Sequence, residues 1–167
     1  QETTTISTGT EEEGTGTGAE SVDVSQAYFQ LDKLAGQPLS LRAGRQALAY
    51  GDHRLVGSLE WTNNARRFDA LKLMYNTEAF GVDLWTAKLV EAGTGTASAD
   101  TDFNGLYLTV KTVPNNAIDV YALQNKTDKY SATAEQDIMT YGARVAGKVA
   151  DLDYGVEYAL QTGDNQK

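Results

Sequence analysis

From Val22 onward, apolar and polar residues alternate with a period of two, in segments of about ten residues. An extended chain points successive side chains to opposite faces, so each segment reads as a strand with one apolar and one polar face. Eight strands are predicted. Val22 to Leu34 sets Ala27, Phe29 and Leu31 against Gln30 and Asp32. Leu39 to Ala47 sets Leu39, Leu41 and Ala43 against Arg42 and Gln46, and Arg67 to Tyr75 sets Leu71, Leu73 and Tyr75 against Lys72. Val82 to Glu91 is read with Trp85, Ala87 and Leu89 on the apolar face and Lys88 on the polar one. Phe103 to Val113 sets Leu106, Leu108 and Val110 against Tyr107, Thr109 and Lys111. Ala117 to Lys126 sets Ile118, Val120 and Ala122 against Asp119 and Tyr121. Asp137 to Val149 sets Met139, Tyr141, Ala143 and Val145 against Thr140, Arg144 and Lys148. Tyr154 to Thr162 sets Tyr154, Val156, Tyr158 and Leu160 against Glu157 and Gln161.

The connections add a second pattern. Short ones fall at Ala35-Gly36-Gln37-Pro38, Asn76 to Gly81, Pro114-Asn115-Asn116 and Ala150-Asp151-Leu152-Asp153. Between them lie long ones, roughly Leu48 to Arg66, Ala92 to Asp102 and Thr127 to Gln136. Strict alternation of tight turns and long loops is the signature of an up-and-down antiparallel barrel with unlike rims. A length of about ten residues also suits a tilted strand crossing a bilayer. Phe29, Leu41, Leu71, Leu73, Leu106, Leu108, Val120, Val145 and Val156 are expected to form one exposed outer band, with Tyr75, Phe80, Trp85, Tyr154 and Tyr158 as an aromatic girdle beside the short turns. The predicted fold is all-β, an antiparallel meander forming a transmembrane β-barrel or a large part of one. A soluble β-sandwich, which also alternates apolar and polar residues, stays open at this point.

Composition agrees with strands: 167 residues, 16 of them Gly and 2 Pro, with no Cys. Without Cys there is neither a disulfide framework nor a thiolate metal site. Residues 1–21 are a Thr/Gly/Glu tract with one bulky apolar residue, Ile6, and are expected to be a mobile loop or tail, with residues 22–167 carrying the strands. Solvated disorder is the expectation for Glu11-Glu12-Glu13, a calcium site the alternative. The first residue is Gln1, and no charged segment followed by an apolar one opens the chain, so a processed or partial chain is expected. A net charge of −9 and a single histidine argue against nucleic acid as a partner.

Charge is distributed unevenly. Five of the six arginines lie between Arg42 and Arg67, and the segment from Arg42 to Lys72 carries +3 in a chain of −9. The inward faces carry Arg42, Lys72, Lys88, Lys111, Arg144 and Lys148 among Asp32, Asp119 and Glu157. These cations fit either an anion path or a ladder of structural ion pairs. Arg45 has the parity of Leu41 and Ala43, where a lipid-facing arginine would cost about 2–4 kcal/mol. It therefore sits at the rim, or Gly44 marks a bulge that turns it inward. Arg54, Arg66 and Arg67, with Asp52, Glu60 and Asp69, are placed to knit the first long loop into a constriction. The substrate-binding candidates are thus Arg42, Arg45, Arg54, Arg66, Arg67, Lys72, Lys111, Arg144 and Lys148. His53 has no second His or Cys to complete a transition-metal site. No catalytic triad spacing, phosphate loop or dinucleotide turn is present, and the carboxylate pairs Asp100/Asp102 and Asp151/Asp153 fall in a loop and a turn. Neither an enzyme activity nor a cofactor is expected.

The strand Leu39-Ser40-Leu41-Arg42-Ala43-Gly44-Arg45-Gln46, then Tyr50-Gly51-Asp52-His53-Arg54-Leu55-Val56-Gly57-Ser58, then Trp61, and Arg66-Arg67-Phe68-Asp69, resemble the alginate-export family of bacterial outer-membrane barrels. The resemblance covers Ala27 to Leu73 closely and the later strands by their pattern. It implies a location in the outer membrane, contact with lipid or lipopolysaccharide, and passage of an anionic or polar solute, such as a polysaccharide, through an arginine-rich lumen. It also implies more strands than eight in an intact barrel. Arg45 then takes an inward or loop-anchoring role. The alternatives are a small structural or adhesive outer-membrane barrel, and a soluble carbohydrate-binding sandwich.

Overall fold

The computed structural model describes residues 2–11, 21–60, 65–90, 100–128 and 135–165. They form one antiparallel sheet whose spatial order is the order of the sequence. The strands are β1 (Glu2–Glu11), β2 (Ser21–Leu31), β3 (Leu39–Gln46), β4 (Phe68–Asn76), β5 (Phe80–Val90), β6 (Thr101–Val110), β7 (Asn116–Thr127), β8 (Gln136–Val149) and β9 (Leu152–Asn165). All eight expected strands are present, β2 to β9. A ninth precedes them. Glu2–Glu11, expected to belong to a loop or tail, pairs along its length with β2. Backbone hydrogen bonding to a neighbouring strand orders a segment whose composition offers little apolar surface. Glu11 ends that strand, while Glu12 and Glu13 lie outside the described residues. The sheet is open: among the described residues, β1 pairs only with β2 and β9 only with β8. No second sheet is present among them, which removes the sandwich alternative for this region.

Local chemistry closes the short turns. Between β2 and β3 a single 3-10 turn, Leu34–Gly36, reverses the chain through left-handed Lys33, Ala35 and Gly36. The β4–β5 turn is tied by Thr77, whose backbone N–H donates to the Phe80 carbonyl and whose hydroxyl accepts from the Phe80 N–H at 3.0 Å. In the β6–β7 turn, left-handed Asn115 follows Pro114, and the Asn116 amide donates to the Pro114 carbonyl at 2.8 Å. The two-residue β8–β9 turn puts Ala150 at φ 53°.

One face of the sheet is covered and the other is bare. Residues 47–60 and 65–67, the connection from β3 to β4, lie against the covered face and bury Leu48, Val56 and Ser58 there. Beneath them are Phe68, Ala70, Trp85, Ala87, Phe103, Tyr107, Tyr121 and Leu123. The bare face exposes Phe29, Leu71, Leu73, Leu106, Val120, Val145 and Val156, while Leu41 and Leu108 are half-buried. Those nine residues share one side, as their parity requires.

The expected parity of β5 is reversed. Trp85 is only 2% exposed and Ala87 3%, both on the covered face, whereas Leu84 and Lys88 are exposed on the bare one. Trp85 therefore leaves the expected girdle, and Lys88 leaves the expected inward set. The cause lies across the strand: Trp85 pairs with Gly105, and a Cβ at Gly105 would overlap the indole. The ring lies flat over that glycine, a burial that no outward site could supply.

Candidate functional site

The site is built where the β3–β4 connection meets the covered face. At the end of β3, fully buried Gln46 donates through Nε2 to the Ala70 carbonyl at 3.0 Å and the Gly44 carbonyl at 3.2 Å. Leu48 then packs into the apolar cluster. A tight loop follows, closed by the Tyr50 N–H donating to the Val56 carbonyl at 3.1 Å and the His53 N–H donating to the Tyr50 carbonyl at 3.0 Å. Gly51 at φ +55° turns the chain.

Tyr50 is the anchor. Its ring stacks on Trp85 at 4.7 Å with 9° between planes, and packs at a 31° tilt against Tyr107 at 4.5 Å. Tyr107 stacks in turn on Tyr121 at 5.6 Å. Each such pair contributes about 0.5–1.5 kcal/mol beyond its area. The Tyr50 hydroxyl donates to Asp83 at 2.8 Å, Lys72 Nζ pairs with Asp83 at 2.7 Å, and the same ammonium lies 4.9 Å from the Tyr50 centroid. Burial, then the Asp83 charge, pushes the Tyr50 phenol well above its ordinary pKa, so it remains a donor.

Two residues along, Asp52 accepts from Arg144 on β8 at 2.5 Å, and Arg144 also pairs with buried Asp119 at 3.0 Å. The Arg144 hydrogen bond holds the Asp52 carboxyl below its usual range. Thr109 donates to Asp119 at 3.0 Å, and Tyr121 donates to Glu157 at 2.8 Å. Lys72 and Arg144 thus carry the ladder of paired charges that the sequence allowed as one of its two readings.

Arg42 differs. It lies on the covered face with its guanidinium 4.4 Å from the Tyr28 ring centroid, and its Nε donates to Gln30 at 2.7 Å. Gln30 donates onward to Asp32 at 2.7 Å, and Ser40 donates to the same carboxylate at 2.6 Å. These bonds, the Ser40 hydroxyl first, hold Asp32 below the ordinary carboxylate range. No carboxylate pairs with Arg42 among the described residues.

The other candidates separate. Arg45 lies on the bare face at the rim, forked onto Asp69 at 3.0 and 3.1 Å, so the inward alternative does not hold. Gly44 does take an unusual φ of +123°, and a Cβ there would meet the Ala27 carbonyl, yet the strand keeps its parity through it. Arg67 knits the connection as expected, reaching Glu60 at 2.9 Å and Ser25 at 3.1 Å, and this pairing lowers the Glu60 pKa. Arg54 and Arg66 are exposed on the connection, as is His53. Lys111 caps the β4–β5 turn through Asn76 at 3.1 Å, and Lys148 stands 3.9 Å from Asp153. Asp100 and Asp102 both pair with Lys88 on the bare face, which accounts for that pair of carboxylates without acid–base chemistry. The structure brings together Arg42, Lys72 and Arg144 and leaves the rest at rims or on the connection.

Sequence reasoning missed Asp83, Trp85 and Tyr107 as partners of Tyr50. The signal was available in β5: Phe80, Val82 and Leu84 make an unbroken apolar parity, which leaves Gly81, Asp83, Trp85 and Ala87 on the other face.

In comparison with known proteins, a family model described as "Alginate export" matches residues 1–167. No match is found among curated proteins or among solved structures.

Proposed function

The chain belongs to the alginate-export family, and from that premise we propose that it forms wall and constriction of an outer-membrane channel for an anionic polysaccharide. The covered face is the lumen side, and the β3–β4 connection narrows the path. Support comes chiefly from Arg42. Its charge is held by a ring and an amide, neither of which neutralises it, while Lys72 and Arg144 are engaged by Asp83, Asp119 and Asp52. A guanidinium fork matches a uronate carboxylate, and a fixed cation away from bulk water raises the local concentration of anions. The paired cations keep the wall rigid and neutral, so a polyanion is drawn along without being trapped.

The test is the reversal potential of the reconstituted channel in a salt gradient across a planar bilayer. The wild type prefers anions, and Arg42→Gln weakens that preference while the channel stays folded. A cation-selective wild type, or an unchanged Arg42→Gln channel, overturns the reading.

A further inference from the structure

Beside the β3–β4 connection, the covered face holds a cavity of about 160 Å³. Two adjacent rungs of the sheet floor it. One runs through Phe103, Asn125 and Ile138, the other through Leu123, Thr140 and Gln161. Leu55 of the connection completes the lining. The first rung reaches β9 at Gly163, which brings no side chain into the space. A volume of about 150 Å³ is enough for a six-membered ring.

The lining selects against charge. Among the described residues, no ionisable side chain lines the cavity. A carboxylate entering it leaves water and meets no cation. Asn125 Oδ1 is shielded from water and accepts no hydrogen bond from the described residues. An acceptor in that position calls for a donor. An ionised carboxylate can only accept, whereas a hydroxyl both donates and accepts. On the next rung Thr140, 6% exposed, accepts from Gln161 Nε2 at 3.1 Å and keeps its own proton to give. Phe103, Leu123, Ile138 and Leu55 supply apolar surface for the C–H groups of a ring.

We infer that this cavity is a subsite for an uncharged, hydroxyl-bearing sugar unit, whose hydroxyls meet Asn125 and Thr140. It is separate from the cation proposed to meet anions. Arg42 stands on the same rung as Thr140 but five strands away, through Lys72, Trp85, Gly105 and Leu123. That is about 24 Å along the sheet, at about 4.8 Å per strand. The inference rests on the channel reading, and it narrows the solute to a polymer in which uncharged units accompany the acidic ones.

The intact protein in detergent micelles is mixed with the methyl glycosides of glucose, mannose and galactose, and separately with that of galacturonic acid. The last differs from the galactoside by a carboxylate in place of the hydroxymethyl group. Saturation-transfer NMR reads which sugars are held. The expected result is transfer to at least one neutral glycoside, reduced several-fold by Asn125→Leu and by Thr140→Val. Each variant is first shown to be folded by its heat-dependent gel mobility. Leu55→Trp, at a position 44% exposed, fills the cavity without touching its floor, and it removes the transfer even if a floor variant fails to fold. Transfer to the galacturonide, whatever its strength, stays as in the wild type. No transfer to any neutral glycoside, or transfer that survives these substitutions, overturns the subsite. So does a galacturonide signal that falls in parallel with the neutral ones. Each of these outcomes leaves the channel reading standing, since the reversal potential decides that separately.

Discussion

Asp52 and Arg144, 92 residues apart in sequence, meet at 2.5 Å and fasten the β3–β4 connection to β8. Arg144 holds a second carboxylate, Asp119, which is 4% exposed, so the two partners are not equivalent. Half-exposed Asp52 keeps access to water when its partner is lost, and Asp119 does not.

Arg144→Gln is therefore expected to destabilise the folded protein by about 3–5 kcal/mol, since it strands a buried charge. Asp52→Asn is expected to cost far less, because that carboxylate stands in solvent and its ion pair is screened. Urea titration of the heat-dependent gel shift measures both, and equal effects would show that Asp119 does not need Arg144.

Removing the ring in Tyr50→Ala is expected to cost about 3–5 kcal/mol and to release the connection from the face. Tyr50→Phe keeps the ring contacts with Trp85 and Tyr107 and loses the bond to Asp83, at about 1–3 kcal/mol. Protease cleavage within residues 48–58 should accelerate strongly in the first variant and modestly in the second.

Gly105→Ala drives a methyl into the Trp85 ring, whereas Gly155→Ala meets only the Ala146 Cβ at 3.9 Å. The first should lower the midpoint of thermal unfolding and shift tryptophan emission toward the red, and the second should do neither. Like responses from the two would mean that Trp85 does not lie over Gly105.

The pH dependence follows from Asp52 and Glu60, both of whose carboxyl pKa values are lowered by arginine hydrogen bonds. A depressed folded-state pKa stabilises above the unfolded value and loses that contribution as pH falls through the folded one. Protection of residues 48–60 from proteolysis is thus expected to stay level from pH 8 to 5 and to decline only below about 4. A decline centred near pH 6 would show that these two carboxylates do not set the dependence.

Period-two alternation and loop lengths were enough to read the meander, the bare apolar face and the common parity of Arg42, Lys72 and Arg144 on the opposite face, because a strand's two faces depend only on residue spacing. The family resemblance was legible between Ala27 and Leu73 for the same local reason. Three features were decided by tertiary structure. Strand β1 forms because β2 offers it a backbone ladder, which its own composition does not signal. The parity of β5 is decided by Gly105, which makes room for Trp85 from the neighbouring strand. Which cations stay unneutralised depends on carboxylates brought from afar, such as Asp83 to Lys72 and Asp52 to Arg144. Spacing along a chain determines which side of a sheet a residue faces, but ion pairing and ring stacking act over a few ångströms of space, and only the folded chain sets those distances.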